Sequence, residues 1–413
     1  MPCAFRKLFC SDIQKYNVYD VELMNDLIYM DNAATTFPKP PGVLEEALAF
    51  YQKYGVNPGR SGTDLAQEAE AMVAEARKSM TSFLGATGSP DRLVFTQNAS
   101  DSLNIAIQGT LKSGDHVITT CLDHNSVLRP IYHLAKYEGI EVTYVGFGED
   151  GFVDPDDVAR AIQPNTKLVV LTHASNVLGT VQPVEEIGAI CRDRSVILCV
   201  DVAQTAGMQP IEMEAMQADI LCFTGHKSLM GPTGIGGMYV REGVDVAPLR
   251  YGGTGVRSEY PDHLDEYPWR LECGTGNLMG IAGLLAGQKW IAREGLGNIH
   301  VREKALLKQL VNGLREIEGV ILYCADDLDH HVPVLSVNVA GMTANNVGTL
   351  LDVKFNVATR TGLQCAPKVH EVLGTTEVKG TVRISLGPFN TESQIETVIE
   401  GLSDIAKRHG QKD

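Results

Sequence analysis

No stretch of the 413-residue chain approaches the roughly 18 consecutive apolar residues that a membrane-spanning helix needs, so no integral membrane protein is expected. Basic residues are in deficit: 35 Lys and Arg stand against 51 Asp and Glu, a net charge of −16. Such a surface repels nucleic acid and anionic membranes, and neither is expected as a partner. The cysteines lack a pairing pattern. There are nine, an odd number, and no CxxC occurs, which argues against a disulfide framework or a bound metal. Several lie in apolar runs, SVILCVDVA and ADILCFTG, and read as buried thiols in a reducing, cytoplasmic protein. Internal repeats and low-complexity segments are absent. The first ten residues, MPCAFRKLFC, have neither an apolar h-region nor a convincing cleavage site, and residues 1–28 read as an N-terminal extension.

What the chain does have is length and alternation. Its 413 residues exceed one ordinary core and predict two domains. Short runs rich in Val, Ile and Leu recur at 91–96, 115–120, 141–147, 167–174, 195–202 and 218–225, with helical stretches between some of them, one starting near Ser100 and another over 127–136. The runs carry no polar alternation, as expected of strands buried on both faces of a mostly parallel sheet wrapped by helices. In such sheets ligands bind at the carboxyl ends of the strands. From about residue 286 the pattern changes. Residues 290–320 read as a long amphipathic helix, and the segments PVLSVNVAG, FNVATRTG and VRISLGPFN predict a smaller α+β domain ending in a helix over 392–408. The predicted division is an extension over 1–28, a large domain over 29–285 and a small one over 286–413.

Two strand ends carry chemistry. Asp201 closes SVILCVDV; it reads equally as a buried partner for a cationic ring or as the cap of a following helix. Lys227 follows the strand ADILCFTG, flanked by Thr224 and His226 and trailed by the glycines of GPTGIGGMYV. A lone lysine is usually a solvated surface residue. A lysine behind a buried strand, with a carboxylate one strand away, instead suits a Schiff base to pyridoxal phosphate. Thr224 and His226 would donate to the phosphate, and the glycines would let the backbone come close.

The run FTGHKSLMGPTGIGG resembles the lysine motif of class V aminotransferases, and of their cysteine desulfurase and selenocysteine lyase branch, in which a small hydroxyl residue, Gly, His and Lys precede a glycine-rich stretch. The resemblance extends over residues 29–400, beginning with YMDNAATTFPKP. It implies the fold type I of pyridoxal-phosphate enzymes. It also implies roles for individual residues. Ala99 and Ser100, in VFTQNASDSLN, match the phosphate loop, where Ser100 alone reads as a helix N-cap. His124 matches the histidine that stacks on the pyridine ring, Asn176 and Gln204 the contacts to the ring hydroxyl, and Asp201 the partner of the ring nitrogen. Thr275, in ECGTGN, matches a threonine reaching the phosphate of a neighbouring subunit, which implies a homodimer with shared sites.

At the substrate end, ATRTGLQCAPKV resembles the catalytic loop of this branch, with Cys365 as the nucleophile. Arg383, in TVRISLG, matches the arginine that grips the substrate carboxylate, with Arg360 beside it and Asn176 near the substrate. The implied reaction converts L-cysteine, or selenocysteine, to alanine, and the persulfide left on Cys365 passes to a sulfur-acceptor protein. Two departures stand out. Thr63, in NPGRSGTDLA, occupies a position where related desulfurases often carry histidine, and Cys273 stands where a small residue is common. The rival readings are a pyruvate-forming C–S lyase and an aminotransferase, neither needing Cys365. A scaffold without activity is disfavoured by the joint presence of Lys227, Asp201, His124 and Arg383.

Overall fold

The computed structural model describes residues 27–409 except 60, 61, 325 and 327. The N-terminal extension of the sequence reading, apart from its last two residues, lies outside the described residues. So do Cys3 and Cys10.

The chain enters through β1 (Ile28–Tyr29), then forms α1 (Val43–Tyr54) and α2 (Asp64–Phe83). Next come β2 (Leu93–Thr96), α3 (Ala99–Thr110), β3 (His116–Thr120), α4 (Asn125–Tyr137), β4 (Glu141–Val145), α5 (Pro155–Ala161), β5 (Thr166–Thr172), α6 (Val184–Asp193), β6 (Ile197–Asp201), β7 (Ile220–Thr224) and β8 (Gly236–Val240). The strands make one seven-stranded sheet in the order β2-β8-β7-β6-β5-β3-β4. The β3, β4, β5, β6 and β7 pairings are parallel, and β8 alone runs against both its neighbours. That strand was not read from the sequence, because its GGMYV is too rich in glycine to look like one.

The unalternated apolar runs have the predicted cause. Leu198, Val200 and Leu221 pack into one core, while Cys199, Ile220 and Cys222 pack into another. Successive side chains point to opposite faces, so a sheet covered on both sides demands apolar residues at every position. The Cys199 and Cys222 thiols are buried 4.0 Å apart.

The C-terminal part begins with α7 (Leu278–Glu294) and α8 (Leu296–Arg315). The sequence pattern predicts one long helix here. The structure breaks it at Gly295, whose φ of 81° ends α7 in a conformation L side chains avoid. Beyond lie β9 (Val320–Tyr323), β10 (Val334–Val339), α9 (Ala344–Phe355), β11 (Val357–Ala358), β12 (Arg360–Gly362), α10 (Pro367–Val372), β13 (Thr381–Ser385) and α11 (Glu392–His409). They form an antiparallel sheet, β12-β13-β10-β9, and a parallel pair of β1 with β11. Met30 sits in the core of this part with Leu335, Val357 and Ile384, so the beginning of the described chain packs with its end. Among the described residues no helix is long and apolar enough to cross a membrane.

The glycines after Lys227 act in packing. A Cβ on Gly236 would meet the Asn98 Cα at 2.6 Å and the Phe223 carbonyl at 2.8 Å, both backbone atoms that cannot swing away. Gly236→Ala is therefore expected to cost about 1–3 kcal/mol by overpacking. Urea unfolding would show it as a lower midpoint with an unchanged slope, and an unchanged midpoint would refute this account.

Candidate active site

A cavity of about 320 Å³ opens at the carboxyl ends of the parallel strands, where an open α/β sheet places its ligands. Thr172 from the end of β5, Asp201 from the end of β6 and Thr224 from the end of β7 line it. Twelve of the thirteen residues singled out from the sequence lie on its wall: Ala99, Ser100, His124, Asn176, Asp201, Gln204, Thr224, His226, Lys227, Arg360, Cys365 and Arg383. Thr275 does not; it is exposed on the turn before α7. A larger cleft of about 1150 Å³ lies elsewhere, lined by His173 and acidic residues such as Asp154 and Glu185. It offers neither an amine nor a thiol.

Lys227 is held by the loop that precedes α1. The His226 carbonyl, one peptide away, accepts from the Thr36 amide at 3.1 Å, Thr35 Oγ1 at 3.1 Å and Lys39 Nζ at 2.6 Å. Burial lowers the Lys227 pKa from 10.5 to about 8, against an opposing pull from Asp201. The amine is therefore half deprotonated about two units nearer neutrality than an exposed lysine, and is a usable nucleophile and base there. Burial also raises the Asp201 pKa, while the Ala203 amide, bonded to its Oδ1 at 2.9 Å, and the Lys227 ammonium oppose this. No helix follows Asp201; the next element is β7. The capping reading is thereby removed, leaving a buried carboxylate suited to a cationic partner.

His124 caps α4, its Nδ1 accepting from the Ser126 amide at 3.0 Å. An amide only donates, so Nδ1 carries no proton and the hydrogen of the neutral ring sits on Nε2. Burial, helped by the positive charges of Lys227 and Arg383, lowers its pKa to about 4. Burial does the same to His226. Both rings are neutral at pH 7.

The phosphate side of the sequence reading is changed in two details. The N-cap of α3 is Asn98, whose Oδ1 accepts from the Asp101 amide at 3.1 Å, and not Ser100. The Ser100 hydroxyl instead meets Ser126 Oγ at 2.6 Å. In addition, Gly231, Gly234, Gly236 and Gly237 line no part of the cavity, and the close approaches are to other parts of the protein, as at Gly236 to Asn98 and Phe223 and at Gly231 to Gly225 and Leu284. What remains at this end is the first turn of a twelve-residue helix, an anion-favouring environment. Beside it are two buried polar atoms without a partner, Thr224 Oγ1 and His226 Nδ1.

At the opposite end Arg383, only 2% exposed, donates to Asp31 Oδ1 at 2.6 Å and to the Asn176 carbonyl at 3.0 Å. Its Nε is buried with no partner. Asn176 Nδ2 donates to the Gln364 carbonyl at 2.7 Å, and Gln204 Nε2 to the Ala33 carbonyl at 3.1 Å. The thiol of Cys365 faces the cavity from the loop after β12, with Arg360 on the same wall. Thr63 lines no part of it; its hydroxyl caps α2 by accepting from the Ala66 amide at 3.4 Å. Cys273 lies against Gly252, with Sγ 3.7 Å from where a Cβ would stand. Asp31, Ala33 and Gln364 were not singled out in the sequence. Their contacts join positions far apart along the chain, and the one local signal was Asp31 following a short apolar run.

The Aminotransferase class-V sequence profile matches residues 28–398. The chain belongs to that family. A probable cysteine desulfurase from Pyrococcus abyssi is 36% identical over 94% of this chain and 96% of its own length, and one from Methanothermobacter thermautotrophicus is 34% identical over 94% and 96%. Among solved structures, a cysteine desulfurase from Thermococcus onnurineus superposes with a TM-score of 0.85 at 37% identity, covering 94% of this chain and 96% of that one. The cysteine desulfurase CsdA from Escherichia coli gives 0.84 at 27% identity, covering 96% and 99%. The architecture is thus fold type I: a large, mostly parallel sheet with a smaller α+β portion.

Asp31 supplies the nearest countercharge to a guanidinium that water barely reaches. Asp31→Asn is expected to lower the unfolding free energy by about 3 kcal/mol, the scale for removing one partner of a buried ion pair. Denaturant titration measures this, and a loss under about 0.5 kcal/mol, the scale of an ordinary surface substitution, would show the pair to be unimportant.

Proposed function

We propose that this protein is a pyridoxal-phosphate-dependent cysteine desulfurase that converts L-cysteine to L-alanine and collects the sulfur on Cys365. The observation carrying this reading is the joint placement of one amine, one thiol and two arginines, Lys227, Cys365, Arg360 and Arg383, on the wall of a single cavity. An aminotransferase or a pyruvate-forming lyase has no use for the thiol.

The residues present fit the cofactor. The unpartnered Thr224 Oγ1 and His226 Nδ1, with the first turn of α3 at Ala99 and Ser100, suit its phosphate. The buried Asp201 carboxylate suits its ring nitrogen, Asn176 and Gln204 its hydroxyl, the His124 ring its face, and Lys227 its aldehyde. When bound, pyridoxal phosphate supplies an electron sink for the pair left behind when the substrate loses its Cα proton.

The chain's own residues do the rest. Arg383, through its free Nε, and Arg360 hold the substrate carboxylate, which fixes the side chain toward Cys365. Lys227, deprotonated readily because it is buried, takes the Cα proton. His124 keeps its hydrogen on Nε2 and acts as a donor. The Cys365 thiolate attacks the substrate sulfur: the Sγ–S bond forms, the Cβ–S bond breaks with its electron pair going to Cβ, Cβ takes up a proton and Lys227 returns one to Cα, and alanine and a cysteine persulfide remain. A sulfur-acceptor protein would collect that sulfur. A second copy of the chain completes the site by bringing its Thr275 to the phosphate, which agrees with that residue's exposure outside its own cavity. The free buried thiols of Cys191, Cys199 and Cys222 suit a reducing compartment such as the cytoplasm.

The test is a product assay on protein supplied with pyridoxal phosphate and L-cysteine. Alanine is the expected main product, with a persulfide on Cys365 detected by mass spectrometry. Cys365→Ala should lower alanine formation at least roughly a hundredfold, equivalent to about 2.7 kcal/mol of transition-state stabilisation, and keep its bound cofactor. Pyruvate as the main product, or unchanged turnover by Cys365→Ala, would overturn the reading.

A further inference from the structure

The loop bearing the thiol holds two consecutive non-glycine residues with positive φ, Gln364 at 41° and Cys365 at 60°. Left-handed backbone costs an L residue about 1 kcal/mol or more, so such a pair persists only where its surroundings hold it. The hold is concentrated on Gln364, whose side chain is buried. Its Nε2 donates to the Thr381 carbonyl of β13 at 2.7 Å. A carbonyl only accepts, so this contact fixes which way the amide faces, and Oε1 is turned to His370 Nε2 at 2.9 Å. That oxygen also only accepts, so His370 carries its hydrogen on Nε2, and its Nδ1 accepts from Thr375 Oγ1 at 2.8 Å. Burial, which lowers the His370 pKa to about 4, keeps the ring in the neutral form these bonds require. The backbone is tied as firmly. The Gln364 carbonyl accepts from Asn176 Nδ2 at 2.7 Å, and the Cys365 carbonyl from the Asn125 amide at 2.7 Å.

We propose that Gln364 is a positioning residue for the nucleophile: its side chain, clamped between Thr381 and His370, locks the backbone turn that aims the Cys365 thiol into the cavity. Through Asn176 the same turn is joined to Arg383, so the group that orients the substrate carboxylate and the group that attacks the substrate sulfur share one framework. The inference rests on the reading of Cys365 as the nucleophile.

Gln364→Met keeps the volume and removes both clamps, and Gln364→Glu keeps the acceptor for His370 but loses the donor toward Thr381. Both variants, loaded with pyridoxal phosphate, are compared with Cys365→Ala for alanine formation from L-cysteine. Misaiming a reacting group lowers kcat roughly tenfold to a hundredfold, with KM for L-cysteine within about threefold because Arg383 and Arg360, the groups assigned to the substrate carboxylate, are themselves unchanged. Alkylation of Cys365 by iodoacetamide should stay as fast as in the wild type or quicken, since the thiol is present but less confined. Unchanged kcat in both variants, with Cys365→Ala inactive, would overturn the positioning role alone. Wild-type turnover by Cys365→Ala would overturn the nucleophile reading and this inference with it. A rise in KM with loss of bound cofactor would show Gln364 to be merely structural. If Gln364→Met does not fold, Gln364→Glu alone decides, since its carboxylate cannot donate to Thr381.

Discussion

Arg383 carries a full charge in a place from which water is nearly excluded, and everything around the cavity is arranged to keep that charge there. A buried guanidinium is strongly unfavourable unless its hydrogens are matched. Here the matching groups come from parts of the chain that have nothing else in common. Asp31 lies just after the first strand and Asn176 just beyond β5, while Arg383 itself is in β13. Asn176 then reaches the loop of Cys365. The arginine therefore fastens the first strand, the large sheet and the C-terminal sheet at one point, and the cavity is the space they enclose. One nitrogen of the guanidinium, Nε, is buried and has no partner.

The electrostatics follow from the same exclusion of water. Burial strips protons from bases: Lys227 is brought to about 8 and His124, His226 and His370 to about 4. Burial pushes the Asp201 carboxylate the other way. The result is a set of neutral histidine donors and acceptors around one readily deprotonated amine, with a permanent positive charge at the arginine end. A ligand bearing carboxylate at one end and phosphate at the other meets a cation in the first case and a helix N-terminus in the second.

The large sheet was legible in the sequence because strands buried on both faces leave an unmistakable residue record, as Cys199 and Val200 show by packing into different cores. The candidate site was legible where function concentrates unusual residues in short motifs, such as His226 beside Lys227 or Arg360 near Cys365. It failed where one residue serves another across the fold. Gln364 in TGLQCAP and Asp31 after its short apolar run were not singled out, because residues they serve lie at 381 and 383. Gly295 shows the other limit. The periodicity runs through it, and only its left-handed backbone separates α7 from α8. The glycines behind Lys227 were noticed correctly as sites of close approach, but what approaches is the neighbouring protein backbone.

The pairing of residue 31 with residue 383 also sets an order in time. Two points separated by 352 positions cannot meet until nearly the whole chain has left the ribosome, and contacts of such long range are the slowest to form. The last strand of the large sheet ends at Val240, so all of its residues are made well before that. During synthesis there is thus an interval in which every strand of the large sheet has been made while the residues that form one end of the cavity have not. The cavity comes into being late, as a closing step, and whatever is to be enclosed in it must be present at that step or enter afterwards.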